Sequence, residues 1–237
     1  MNKTYYFVEF EYIDIPPEGF HTNQQLTIKG TKFDADPITI LKVVENDYYE
    51  GWIHLQAIHE TVDKTPRRMA GDPEYLHQSI VGGDRPFNCY YKKDENIMIL
   101  NTSKKNVIGL QRALIQHFPD RFKPYQHELE FKKLLKKLSH TQIVSSWFNN
   151  IQGKVNAVGL YGRRVNFDEI FDHYNELGRL SAITVEWQIK DETQPINVMF
   201  TKNYGVIIYS DWPFEKDLYF LLEIKKLLFS DELIKSS

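Results

Sequence analysis

The chain has 237 residues, a net charge of −3, 42 % apolar and 26 % charged residues, 15 Phe and 14 Tyr, which supports a globular protein with an ordinary core and excludes a disordered chain. The charge excludes global attraction to nucleic acid, so any such binding needs a local basic surface. The single cysteine, Cys89, excludes an internal disulfide and fits a reducing compartment.

Along the chain, Tyr6, Val8, Phe10 and Tyr12 alternate with polar positions that include Glu9 and Glu11, the period of a half-buried strand, and Pro16–Gly19 ends it. Glu9 and Glu11 stand where a secretory leader carries apolar residues, and no apolar run approaches the roughly 20 residues of a membrane span. The expectation is a soluble, cytoplasmic protein with no membrane partner. Further strand patterns cover 25–32 and 38–44; the stretch 52–60 fits a strand or a helix. From 61 to 85 Pro66, Gly71, Pro73, Gly82 and Gly83 interrupt any period, and only 74–80 suits a short helix. Irregular segments of this length are commonly functional, which makes Arg67, Arg68, Asp84 and Arg85 functional-loop candidates.

A hairpin pattern follows and runs through Asn101-Thr102-Ser103, good N-cap residues, into a helix with Val107, Leu110, Leu114, Ile115 and Phe118 on one face. The pattern predicts a second helix over 125–138 and a third over 141–151, with Ile143, Val144, Trp147, Phe148 and Ile151 inward and Gly153 closing it. The C-terminal half reads as strand 155–161, helix 167–177 capped by Asn166, strand 182–190, a second hairpin, and a helix from about 213 to 229. That last helix is apolar on two stripes and is either enclosed or shared with a partner.

Residues 86–103 align without a gap on 195–212, with Pro86/Pro195, Asn88/Asn197, Lys93/Lys202 and Ile99/Ile208 identical and a helix after each copy. The expected fold is therefore α+β: two related hairpin-plus-helix modules joined by helices, with antiparallel sheets that carry helices on one face. The boundaries expected are 1–123 for a β-rich module, 124–153 for connecting helices, and 154–237 for a β-α-β-β-β-α module. That order resembles the half-repeat of the TATA-binding-protein fold, and its α-β-β-β-α part resembles a double-stranded-RNA-binding domain. Both resemblances cover residues 155–229, rest on element order alone and assign no family.

Candidate sites are cationic. Lys104 and Lys105 open a helix whose free N–H groups suit phosphate oxygens. Lys132, Lys133, Lys136 and Lys137 form a helix stripe that can follow a nucleic-acid backbone, although Glu128 and Glu130 are spaced to pair with Lys132 and Lys133. Arg163 and Arg164 offer forked donors at a strand end. His54 and His59 stand five residues apart, a spacing at which neither helix nor strand lets them share a metal. His59, Glu60 and Asp63 remain a hydrolase candidate with the 61–85 segment as a lid. No cofactor or metal motif is present. One side of each sheet, with Thr184 and Glu186 on the strand 182–190, Asn197, Met199 and Thr201 on one hairpin and Asn88, Tyr90 and Lys92 on the other, is expected to face water or a partner.

These residues point first to a non-catalytic interaction protein, an adaptor, inhibitor or complex subunit, with a protein partner or self-association. Nucleic-acid binding through the lysine and arginine clusters is the first alternative. A hydrolase near His59 and Glu60 is the second.

Overall fold

β-Branched and aromatic residues at alternate positions build the larger strands. The computed structural model describes residues 2–22, 27–29, 32–34, 38–63, 71, 81–83, 85–126, 128–189 and 193–229. In order these hold β1 (Asn2–Ile13), β2 (Phe20–His21), β3 (Thr27–Lys29), β4 (Lys32–Asp34), β5 (Thr39–Tyr49), β6 (Trp52–His59), β7 (Thr61–Asp63) and β8 (Val81–Gly83). They continue with β9 (Pro86–Lys92), β10 (Ile97–Asn101), α1 (Lys104–His117), β11 (Phe122–Pro124), α2 (Phe131–Lys137), β12 (Gln142–Asn149) and β13 (Ala157–Tyr161). The last five are α3 (Glu169–Leu177), β14 (Arg179–Trp187), β15 (Ile196–Thr201), β16 (Gly205–Tyr209) and α4 (Phe214–Leu228). The fold is α+β and its sheets are built of antiparallel pairs. Among the described residues no helix is long and apolar enough to cross a membrane.

The chain divides into two units, Val8–Tyr125 and Met1–Phe7 with Gln126–Ser237. In the first, β2, β5, β6, β9 and β10 lie in that spatial order. Leu55, Ala57, Cys89, Ile99 and Leu100 are all buried there. Helix α1 begins where Ser103 Oγ accepts a bond from Asn106 N–H and buries Val107, Leu110, Ala113 and Leu114. Its Gly109 lies against His59 of β6: a Cβ added at that glycine would stand 2.0 Å from His59 Nε2. β1 pairs through Phe10–Ile13 with β11, and Phe20 packs on Phe118 and Phe122 at 4.6 and 4.8 Å between ring centroids.

In the second unit β13, β12, β14, β15, β16 and the first residues of β1 follow one another, all antiparallel. Phe148 of β12 meets Phe171 of α3 at 5.3 Å, and Leu135 of α2 packs into the same cluster. Trp187 of β14 meets Phe220 of α4 at 5.5 Å. The interior of this unit also holds an ion pair. Asp217 of α4 is fully buried, and its Oδ2 accepts from Lys3 Nζ at 2.6 Å and from the Tyr5 hydroxyl at 2.8 Å. Lys3 Nζ also donates to the Trp212 carbonyl.

Several expectations are corrected. Residues 142–149 are strand β12, not a helix; a register shift against β14 at Val144 puts Ile143 on the same side as Ser146 and Phe148 and leaves a spacing that imitates a helical one. The helix expected over 125–138 is only Phe131–Lys137. Helix α3 is capped by Asp168, whose Oδ1 accepts from Ile170 N–H at 2.9 Å, not by Asn166. Of the strand and the helix that fit the stretch 52–60, the structure shows a strand over Trp52–His59. Residues 74–80 lie outside the described residues.

Candidate functional site: the two faces of the C-terminal sheet

Cross-strand pairing sorts the side chains of the second unit into two faces. One row runs Leu160, Ser146, Ile183, Phe200, Val206, Tyr5. From Ser146 to Tyr5 every member is fully buried. Phe148 shares this side, two positions from Ser146, as does Trp187, two pairs along β14 from Val185 and Ile183. Since Phe171 and Leu135 pack on Phe148 and Phe220 on Trp187, helices α2, α3 and α4 cover this face.

The adjacent row runs Tyr161, Ser145, Thr184, Met199, Ile207, Thr4 on the opposite face. Its centre is tied by a hydroxyl bond of 2.7 Å between Ser145 and Thr184, which satisfies both buried groups. Met199, Ile207 and Thr4 are part-exposed, and Tyr161 is 68 % exposed. Beside it lie Gly159, Trp147, Ala182 and Thr201. Trp147 and Tyr161 meet edge to face at 5.5 Å over Gly159. A Cβ at Gly159 would stand 3.1 to 3.2 Å from both rings, so glycine lets them sit close to the strand. At one end of β12 and β14 an open groove of about 430 Å³ is lined by residues that include His140, Gln142, Glu186 and Trp187. Among the described residues the face is thus mixed polar and aromatic.

The sequence candidates fall in several places. Lys104 and Lys105 are exposed in the first turn of α1, in the Val8–Tyr125 unit, where the Ser103 hydroxyl already caps the helix. Lys132, Lys133, Lys136, Lys137, Arg163 and Arg164 belong to the other unit. Lys132 and Lys136 are exposed; Lys133 is half-buried and pairs with Glu130 at 2.9 Å. Glu128 pairs with Lys202 at 3.0 Å, not with Lys132. Lys137 is half-buried. Arg163 and Arg164 are exposed in the turn after β13, where Arg164 adopts φ 57°. Arg85 is exposed, while Arg67, Arg68 and Asp84 lie outside the described residues.

His59 Nδ1 lies 2.9 Å from the Thr39 hydroxyl, and its other nitrogen faces Gly109. Burial, and then the charge of Lys105, push its pKa below the ordinary histidine value. Glu60 Oε2 accepts from Ile38 N–H at 3.0 Å. His59 therefore ties β6 to β5 and lies against α1, while Glu60 ties the end of β6 to the residue before β5. Among the described residues no group of three or more His, Cys, Asp or Glu could hold a metal ion. Cys89 is buried, and burial pushes its thiol pKa up.

Sequence reasoning missed Trp147 and Tyr161 as a surface pair, because it placed Trp147 inside a helix. The available signal was the β-branched and aromatic composition of Ile143–Phe148. It also missed the Lys3–Asp217 pair, whose members are separated by nearly the whole chain. A comparison of the chain with protein-family models finds no match, and a comparison with curated proteins finds none either.

Proposed function

We propose that this chain is a non-catalytic interaction protein that docks another macromolecule on the uncovered face of its C-terminal sheet. The observation that carries the reading is the contrast between neighbouring rows. Phe200 and Val206 are fully buried on the helix-covered side, whereas their chain neighbours Met199 and Ile207 are apolar and part-exposed, and Tyr161 at the end of their row is 68 % exposed. A sheet that packs helices on one side commonly leaves its other side polar. Here that side keeps Trp147 and Tyr161, the residue types that dominate binding energy at interfaces. The buried Cys89 suits a reducing compartment such as the cytoplasm.

Within the same reading, β9-β10-α1 and β15-β16-α4 are copies of one hairpin-helix unit. In support, the strand before each hairpin pairs at corresponding positions: Leu55 with Cys89 and Ile53 with Tyr91 in one, Val185 with Val198 and Ile183 with Phe200 in the other.

The test is chemical crosslinking of the purified chain to proteins of a cell extract, with mass spectrometry, for wild type and for Met199→Glu/Ile207→Glu. The reading expects one partner whose crosslinks flank β14–β16 and fall about tenfold or more in the variant, as loss of a hot spot does. A partner retained by a folded variant contradicts it. Nucleic-acid binding is the second reading, favoured by Trp147 and Tyr161 as stacking surfaces near Arg163 and Arg164. It requires binding to labelled single strands that weakens steeply with salt.

A further inference from the structure

Strand β13 stands at the end of its sheet, with β12 as its one strand partner among the described residues. Gly162 N–H donates to the Val144 carbonyl at 3.0 Å, in register with the pairing of Ser145 with Tyr161. Antiparallel ladders bond alternate residues inward. Gly162, Leu160 and Val158 therefore bond to β12, and the N–H and C=O groups of Ala157, Gly159 and Tyr161 face outward from the sheet.

Exposed edges are ordinarily blunted by lysine, proline, bulges or inward charges. Ala157–Tyr161 contains no proline and no charge, and its pairing with β12 runs without a register shift. Its surroundings are apolar. Five of the thirteen large exposed hydrophobic side chains among the described residues fall between 147 and 170: Trp147, Val155, Tyr161, Phe167 and Ile170. The segments directly before and after the strand are cationic, and exposed Asp168 and Glu169 follow them at the start of α3. Residues 149–167 contain no Asp or Glu but include Lys154, Arg163 and Arg164, all exposed, in a chain of net charge −3. The cations flank the two ends of the strand.

We propose that the outer edge of β13 is a docking strand for an extended, acidic peptide segment of a partner protein, which adds to the sheet as its next strand. Main-chain bonds to Ala157, Gly159 and Tyr161 supply the affinity, as in other strand additions. Carboxylates at the ends of the segment meet Lys154 and the Arg163-Arg164 pair, whose forks bind carboxylate in two-point fashion. A second copy of this chain is a poor occupant. Antiparallel pairing of two β13 edges would set Lys154 of each copy beside the two arginines of the other, and like charges across an interface are disfavoured. The proposal rests on the interaction reading above, to which it adds the edge and the chemistry of the segment.

The probe is a synthetic nine-residue peptide of alternating valine and threonine with two acidic residues at each end, added to the ¹⁵N-labelled full chain. The readout is amide exchange by NMR. The expected result is slowing of the Ala157, Gly159 and Tyr161 amides by about tenfold or more, since a bonded amide exchanges only through opening. The Val158 and Leu160 amides, already bonded to β12, change little. Lys154→Glu/Arg163→Glu/Arg164→Glu abolishes the effect. Ala157→Pro removes one outward donor at the first strand position, where proline is tolerated, and weakens it. Equal protection by a peptide with lysine ends overturns the proposal, as does protection of the 145–147 or 199–207 amides in place of the edge. So does a labelled single-stranded oligonucleotide that protects the edge where the peptide does not. If the peptide leaves the edge unprotected while Met199→Glu/Ile207→Glu still abolishes crosslinking, the edge proposal falls and the interaction reading stands. Edge protection together with a partner that both face substitutions leave in place does the reverse.

Discussion

The two faces of the C-terminal sheet share one backbone and differ in everything that alternation sends to opposite sides. Phe200 and Met199 are neighbours in β15, yet Phe200 is fully buried beside Ile183 and Trp187, while Met199 is part-exposed within reach of the Tyr209 hydroxyl. The covered face spends its residues on stability, down to the Lys3–Asp217 pair. The other face keeps large side chains, Met199, Trp147 and Tyr161, in part-exposed or exposed positions. The contrast follows from the two-residue period of a strand, and under the interaction reading proposed above it is this face that docks the partner.

That contrast can be broken most readily at its extremes. Phe200→Ala should destabilise the chain by about 3–5 kcal/mol in urea denaturation, as aromatic truncation in a core does, and Met199→Ala by about 1 kcal/mol or less, as away from a core. Equal losses at both positions would erase the distinction. Asp217→Ala leaves the part-exposed Lys3 ammonium and the Tyr5 hydroxyl without their carboxylate and should cost about 1.5–3 kcal/mol, the range for a hydrogen bond to a charged group. Asp217→Ala in a Lys3→Met background should cost less, because the orphaned charge is gone.

The helix-covered side of the Val8–Tyr125 unit sharpens the comparison. Gly109→Ala forces a methyl group into the His59 imidazole and should cost about 1–3 kcal/mol, the range of overpacking. His59→Ala in the same chain should relieve part of that cost, which a double-mutant cycle measures. A smaller effect is the pH dependence of His59. Its pKa is depressed in the folded state from an ordinary value of 6.5. The unfolded chain therefore takes up the proton first as pH falls. The sign follows: stability is unaffected by this group above about pH 7, declines as pH falls through 6.5, and levels off below the folded-state pKa. Urea midpoints between pH 8 and 5 should fall less in His59→Gln than in wild type. Smallest of all, the Cys89 thiol, buried and with its pKa raised, should resist a thiol reagent until denaturant is added.

The strands were legible wherever alternation is regular. The β1 pattern of Tyr6, Val8 and Phe10, the two hairpins and the capped start of α1 at Ser103 all follow from local chemistry. Residues 142–149 were not, because the shift at Val144 moves Ile143 out of the two-residue period that Ser146 and Phe148 keep. The N-cap at Asp168 was missed for a smaller reason: Asn166 and Asp168 are both good caps, and a short 3-10 turn at 165–167 decides between them. In the candidate site, Thr184, Glu186, Asn197 and Met199 were readable as a mixed face from β14 and β15 alone. The contribution of Trp147 and Tyr161 was hidden, because it depends on β12 lying between β13 and β14, a pairing that no local pattern encodes.

The most direct test of the division between faces is hydroxyl-radical footprinting of the full chain, alone and with the partner recovered by crosslinking. Met199, Trp147 and Tyr161 should oxidise in the free chain and become protected in the complex, while Tyr219, exposed on helix α4, stays reactive in both. Protection of Tyr219 with Met199 and Trp147 unchanged would place the binding surface on the helices and contradict the account.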